Sequence, residues 1–376
     1  MDLPVKSARF LLPKKEIDLT KWAVIACDQH TSDIDYWEKL SRFVGHAPSA
    51  LPLIFPEVYL GKGEEETRVK NISAQMDEYL KNEIFQEMTG MVLVKRWQAS
   101  NGKVREGILL AVDLEHYSFQ KGDRTLIRAS EGTVLERLPP RVNARKQCAL
   151  ELPHIMLLYD DPDFTVHNAL RDITEPVLYD FDLNMNGGHL QGIHIKSCSN
   201  VLDAFAKLLV SSKARYGEEL LFAVGDGNHS LAAAKQVYED AQKAGRGEEC
   251  RYVLCEAVNL FDSALCFEPI HRLAFVENPS SFCAEIAKNM PIDPIEAVAY
   301  TDEFIKSAGV QVDYIHGDTH LKELAKKCGA APISLKAMDK AGFFPYIIKN
   351  GSLPKKTFSM GEAEDKRYYL EAAHIR

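Results

Sequence analysis

The segment that most constrains this chain is Leu220-Leu221-Phe222-Ala223-Val224-Gly225-Asp226-Gly227-Asn228-His229-Ser230, followed by an alanine-rich stretch. The apolar run Leu220–Val224 is too short for an ordinary helix and reads as a buried strand. Gly225 and Gly227 break it with a turn, and the alanines of Ser230–Ala244 favour a helix. The segment thus reads as a strand, a Gly-x-Gly turn and a helix in direct succession. The turn also sets polar groups at a helix N-terminus, where backbone N–H groups and a partial positive charge face outward. Glycines there let a phosphate approach the backbone closely. Asp226 adds an acid or base and His229 a hydrogen-bonding ring. Two readings stand on pattern alone: a phosphate seat, or a tight turn in which Asn228 or Ser230 caps the helix. The segment is no Walker loop, because the Gly-Lys-Ser/Thr ending is missing. It is no dinucleotide fingerprint either, because the third glycine and the later acidic residue are absent.

The flanking sequence alternates strands and helices. Trp22–Ala26 reads as a buried strand. Ser32 or Asp33 can cap a helix with Ile34, Trp37, Leu40 and Val44 on one face, and Gly45 is placed to end it. Glu64–Met88 is the longest helical pattern, with acidic residues at its start. Asn101-Gly102 between Met91–Trp97 and Val104–Leu114 predicts a hairpin. Asn200–Gly217 predicts an amphipathic helix, and Tyr252–Phe261 and Leu273–Phe275 predict strands. Beyond residue 290 the pattern predicts helices over Thr301–Ala308 and Thr319–Cys328. Strands are expected over Val312–His316, Ile333–Ala337 and Tyr368–His374. The expected organisation is a core over residues 1–290 and an α/β subdomain over 291–376 that packs on it.

Composition narrows the partners. With 45 basic and 54 acidic residues the chain carries a net charge of −9, which disfavours nucleic acid. No run of about 20 apolar residues exists, so no membrane partner is expected. The N-terminus lacks a signal-peptide pattern, and the eight cysteines are scattered without a Cys-x-x-Cys pair. A cytoplasmic protein with reduced thiols is the expectation.

A second polar cluster is Arg128-Ala129-Ser130-Glu131-Gly132-Thr133, followed by Arg137, Arg141 and Arg145. Arginine forks suit phosphate or carboxylate, and Glu131 is a candidate general base. The alternative is a solvated charged loop. His271-Arg272 can contact an anion or serve structurally. Asp28-Gln29-His30 can be functional or a helix-entry turn. His189 and His194 read as structural, and Lys356 as a solvated lysine that can reach a phosphate.

Asp226-Gly227-Asn228-His229-Ser230, continued by Leu231-Ala232-Ala233-Ala234, resembles the Asp-Gly-His-His-Arg type motif of the ParB/sulfiredoxin-like superfamily. That superfamily includes partition proteins, sulfiredoxins and free-serine kinases. The chain as a whole resembles the family called domain of unknown function 1015. The resemblance runs through Ala26-Cys27-Asp28-Gln29-His30, Ile54-Phe55-Pro56-Glu57-Val58-Tyr59, Glu131-Gly132-Thr133, Leu152-Pro153-His154, the turn at Gly225–Ser230, Ile270-His271-Arg272 and Lys356–Gly361. Two departures matter. Asn228 stands where a sulfiredoxin-like protein carries a nucleophilic cysteine, and His229 and Ser230 stand where partition proteins carry arginines. The resemblance implies an α+β fold with a ParB/sulfiredoxin-like mixed-sheet core, flanking helices and the α/β tail. It implies a phosphotransferase like a free-serine kinase, or a phosphatase-like activity on phosphoserine. Glu131, Asp226 and His229 would be catalytic. Gly225, Gly227, Asn228, Ser230, Arg128, Thr133, Arg141, Arg145, His271, Arg272 and Lys356 would hold phosphate or nucleotide. ATP or ADP with magnesium would be the cofactor, and a small phosphorylated metabolite or nucleotide the partner. A non-catalytic nucleotide-binding module and a structural protein with a degenerate site are the alternatives.

Overall fold

The computed structural model describes every residue except Met1, Ser32, Val134, Asp172 and Arg376, and the side chain of Arg137 also lies outside the description. The fold is α+β and divides into two compact units, both discontinuous in sequence. The first comprises Met1–Ala129, Thr133–Ala264 and Ala363–Arg376. The second comprises Ser130–Gly132 and Leu265–Glu362.

The first unit is built on a mixed 11-stranded sheet. Its main strands are β1 (Phe85–Trp97), β2 (Val104–Asp113), β3 (Ile127–Arg128), β4 (Met156–Tyr159), β5 (Val177–Asp182), β6 (His189–Ile195), β7 (Phe222–Asp226) and β8 (Tyr252–Asn259). They lie in the order β5-β6-β1-β2-β8-β4-β7-β3. β8 runs parallel to β4, and β7 runs parallel to β3 but antiparallel to β4. The longer helices are α1 (Ile34–Val44), α2 (Glu65–Lys81), α3 (Leu138–Gln147), α4 (Ser199–Tyr216) and α5 (Asn228–Lys243).

Local chemistry explains most boundaries. Asp33 caps α1 by accepting from the Tyr36 N–H at 3.1 Å, while Ser32 lies outside the described residues. The Asn101-Gly102 turn joins β1 to β2 as expected, in a one-to-one antiparallel register. The expected helix over 64–88 is shorter. It ends at Lys81, and Phe85–Gly90 instead form the first part of β1 and pair with Ala8–Pro13. Sheet pairing with a distant segment overrides the helical pattern there. The expected final strand over 368–374 is broken in two. Tyr368–Tyr369 pairs with Val24–Ile25, and Ala373–His374 with Leu150–Glu151.

The break has a cause in the core. Glu371 is buried and accepts from Arg367 Nη2 at 2.6 Å and from the Tyr179 hydroxyl at 2.6 Å. Arg367 in turn pairs with Glu256 through Nη1 and donates from Nε to the Pro153 carbonyl at 2.9 Å. Glu256 sits in the middle of β8, with Arg105 3.6 Å away. Gly107 on the neighbouring strand is what makes room for it, because a Cβ there would collide with the Glu256 carboxylate.

The second unit is a small antiparallel sheet. β9 (Phe267–Phe275) is flanked by β10 (Gln311–His316) and β11 (Ala331–Ile333), and β12 (Phe358–Met360) pairs with the first residues of β9. Its helices are α6 (Pro279–Lys288), α7 (Pro294–Ser307), α8 (Asp318–Cys328) and α9 (Phe343–Asn350). α7 starts seven residues before the expected Thr301, because Asp293 caps it and Pro294 occupies its first position. The strand expected over 333–337 lies instead at Ala331–Ile333, since Leu335 turns its N–H to His271 Nδ1 at 3.1 Å.

No helix among the described residues is long and apolar enough to cross a membrane.

Candidate functional site

The turn between β7 and α5 is the focus of the first unit. Gly227 has φ +83° and precedes the helix. A Cβ at this position would lie 3.1 Å from the Ile155 Cα, so both the left-handed backbone and the close approach favour glycine. We expect Gly227→Val to lower stability by about 1–3 kcal/mol, read by urea unfolding. An unchanged midpoint would show that the turn relaxes freely. Asn228, His229 and Ser230 form the first turn of α5, whose N–H groups point out of the helix end.

Two segments far apart in sequence meet this turn, and a third reaches it through Tyr369. Asp226 Oδ2 lies 3.2 Å from Lys366 Nζ, and Asp226 Oδ1 accepts the Gly227 N–H at 2.9 Å. Burial alone would raise the Asp226 carboxyl, but Lys366 and then His154 outweigh it and hold the carboxyl below its usual range. The carboxylate is therefore ionised at neutral pH. Ser230 Oγ lies 3.0 Å from His154 Nε2, and His154 Nδ1 lies 2.9 Å from the Tyr369 hydroxyl. Tyr369 donates to Cys27 Sγ at 3.0 Å. The Cys27 thiol is pushed up to about 12, first by burial and then by Asp28, so it is protonated and no nucleophile. Asp28 accepts from Gln29 Nε2 at 3.0 Å. His30 stacks on Tyr36, ring centroids 3.8 Å apart.

The other expected site residues are placed as follows. Gly225, Asp226, Gly227, Asn228, His229 and Ser230 come together at the turn. Arg128 is buried and paired with Glu218, Arg141 is paired with Glu57, and Arg145 with Glu151. Each of these three forks thus already holds a carboxylate. The Thr133 hydroxyl is buried without a hydrogen-bond partner among the described residues. In the second unit, Glu131 accepts the Lys356 N–H at 3.1 Å, and the Lys356 side chain is exposed. Arg272 is fully buried and forks onto Asp302 at 2.8 and 2.9 Å. His271 is buried against the Leu335 N–H, and burial lowers its pKa.

Sequence reasoning left out Lys366 and Tyr369 and used His154 only as part of a resemblance. A depression of about 750 Å³ in the first unit is lined instead by Trp97, Asp180, Asp182, His189 and Gln191. There His189 is held by Asp180 at 2.6 Å and Asp182 at 2.8 Å. Burial opposes its protonation, but the two carboxylates prevail and raise its pKa. We give the turn more weight because it combines a helix end, an ionised carboxylate, a lysine and a serine–histidine contact. Among the described residues no group of three His, Cys, Asp or Glu side chains is placed to hold a metal ion.

A family model described as a protein of unknown function (DUF1015) matches residues 10–374. No curated protein sequence matches the chain. Among solved structures, free serine kinase in complex with AMP aligns at 8% identity over 70% of this chain and 90% of that one, with a TM-score of 0.37. A mutant of free serine kinase, also with AMP, aligns at 7% identity over 70% and 91%, with a TM-score of 0.37. A conserved hypothetical protein from Pyrococcus furiosus aligns at 9% identity over 71% and 95%, with a TM-score of 0.33.

Proposed function

The chain belongs to the DUF1015 family, and from its own geometry we propose that it is a phosphate-handling small-molecule enzyme that passes a phosphoryl group from a nucleotide to a hydroxyl. The observation that carries this reading is the ionised Asp226, fixed by Lys366 at the N-terminus of α5. The first-turn amides of α5 would hold the phosphate, and the helix end would offset part of its charge. Lys366 supplies the nearby cation. Asp226 would align the acceptor hydroxyl and take its proton. Phosphoryl transfer depends mainly on such positioning and charge neutralisation.

By the motif resemblance, ATP or ADP is the donor and free serine the acceptor, and the reverse or hydrolytic direction would act on phosphoserine. Magnesium would come with the nucleotide phosphates, and Asp226, already engaged by Lys366 and the Gly227 N–H, is left to the acceptor hydroxyl. The carboxylate-paired arginines 128, 141 and 145 favour the second reading, a nucleotide-binding module without turnover.

Thermal unfolding with ATP, ADP, CTP and phosphoserine tests the seat. A ligand at 100 times its Kd should add about 2.7 kcal/mol. No shift with any of the four rejects both readings. A shift without phosphoserine formation from serine leaves the module alone.

A further inference from the structure

The same turn holds a hydrogen-bonded chain that the transfer described above leaves idle. Ser230 Oγ is 3.0 Å from His154 Nε2, and His154 Nδ1 is 2.9 Å from Tyr369 Oη. Of the proton arrangements these distances allow, one starts from the Tyr369 hydroxyl. Its hydroxyl proton goes to Cys27 Sγ at 3.0 Å, and its oxygen accepts the Cys27 N–H at 3.3 Å. The remaining lone pair accepts Nδ1–H of His154. That tautomer leaves Nε2 unprotonated, facing the Ser230 hydroxyl. A hydroxyl against a basic imidazole, with the ring oriented by a third group, is the arrangement that activates a serine nucleophile.

The position of Ser230 says what it would attack. It is the third residue of α5, and side chains there lean back toward the helix N-terminus. Its hydroxyl therefore shares the space in front of the first-turn amides.

We propose that Ser230 is a covalent phosphoryl carrier, an inference that rests on the phosphotransferase reading. In the first half-reaction Oγ attacks the terminal phosphorus of a nucleoside triphosphate. The bond from that phosphorus to the bridging oxygen breaks, the nucleoside diphosphate leaves with the electron pair, and Nε2 of His154 takes the serine proton. In the second half-reaction the acceptor hydroxyl attacks the phosphoserine phosphorus and gives its proton to Asp226. The Ser230–phosphorus bond breaks, and Oγ recovers its proton from His154. His154 and Ser230 are catalytic residues in this scheme. Tyr369 is a positioning residue that fixes the tautomer.

The test uses the full chain with magnesium and ATP radiolabelled on its terminal phosphate, without an acceptor. Expected is a burst of up to about one label per chain, alkali-labile and located by mass spectrometry on the peptide that carries Ser230. Ser230→Ala should abolish label and turnover, while Ser230→Thr, which keeps the hydroxyl, should retain some of both. His154→Gln should slow labelling about a hundredfold or more. Tyr369→Phe should move the acidic limb of the labelling pH profile, a change that loss of packing alone would not produce. Turnover in Ser230→Ala within a few-fold of the parent would overturn the carrier and leave direct transfer standing. Label on another residue would overturn it as well. A parent protein that neither binds nor turns over ATP or ADP rejects the phosphotransferase reading and the carrier together.

Discussion

Arg367→Met should lower the unfolding free energy by about 3–5 kcal/mol, the range seen when one partner of a buried ion pair is removed. Arg367 is 4% exposed, and its partners Glu256 and Glu371 are each 1% exposed. Without the guanidinium, two carboxylates stay buried in the core of the first unit, and Glu371 keeps only the Tyr179 hydroxyl. The loss is a large part of the 5–15 kcal/mol that typically separates folded from unfolded states. Urea unfolding reads it directly. Neutralising the stranded groups with Glu256→Gln and Glu371→Gln in the same chain should recover part of the loss. An Arg367→Met chain as stable as the parent would mean that the network is hydrated and contributes little.

Asp226→Asn should reduce phosphoryl transfer by about a hundredfold to ten thousandfold, the usual worth of a positioned base, while nucleotide binding persists. Asparagine keeps the shape of the side chain but cannot accept the proton of a hydroxyl. A turnover rate within a few-fold of the parent would move the base elsewhere, and Glu131→Gln is the next variant to measure. The same substitution has a signature in stability. The folded carboxyl lies below its unfolded value of about 3.9. Ionisation therefore stabilises the fold above about pH 4, and that contribution fades as the pH falls through the folded pKa. Asp226→Asn should remove this component of the acid sensitivity. An acid unfolding curve identical to the parent's would show that Lys366 gains nothing from the pair.

The strand–turn–helix at 220–244 was legible because its signals are local: an apolar run, two glycines and a string of alanines. The caps at Asp33 and Asp293 are local in the same way, although the expected helix begins at Thr301 and leaves out the second. What surrounds the turn was not legible. Lys366, Tyr369 and His154 reach it through strand pairings such as Tyr368 with Ile25, and no spacing in the sequence encodes those. The arginine cluster shows the opposite failure. Three arginines close in sequence suggest one positive pocket, but Glu218, Glu57 and Glu151 come from three separate segments to meet them. Net charge and short-range pattern carry no information about such pairings.

The interleaving of the two units sets an order on synthesis. The segment that brings Lys366, Arg367 and Tyr369 into the first unit emerges from the ribosome only after Leu265–Glu362 has been made. The long sheet has all its strands by Asn259, before any strand of the second unit, but Glu256 lacks Arg367 until that last segment is made. Closure of the large unit through distant pairings is the slow kind of event, and until it happens the turn before α5 has neither its lysine nor its tyrosine. A chain stopped before residue 363 would leave Asp226 without Lys366 and His154 without Tyr369, so the site at that turn is complete only when the last segment is made.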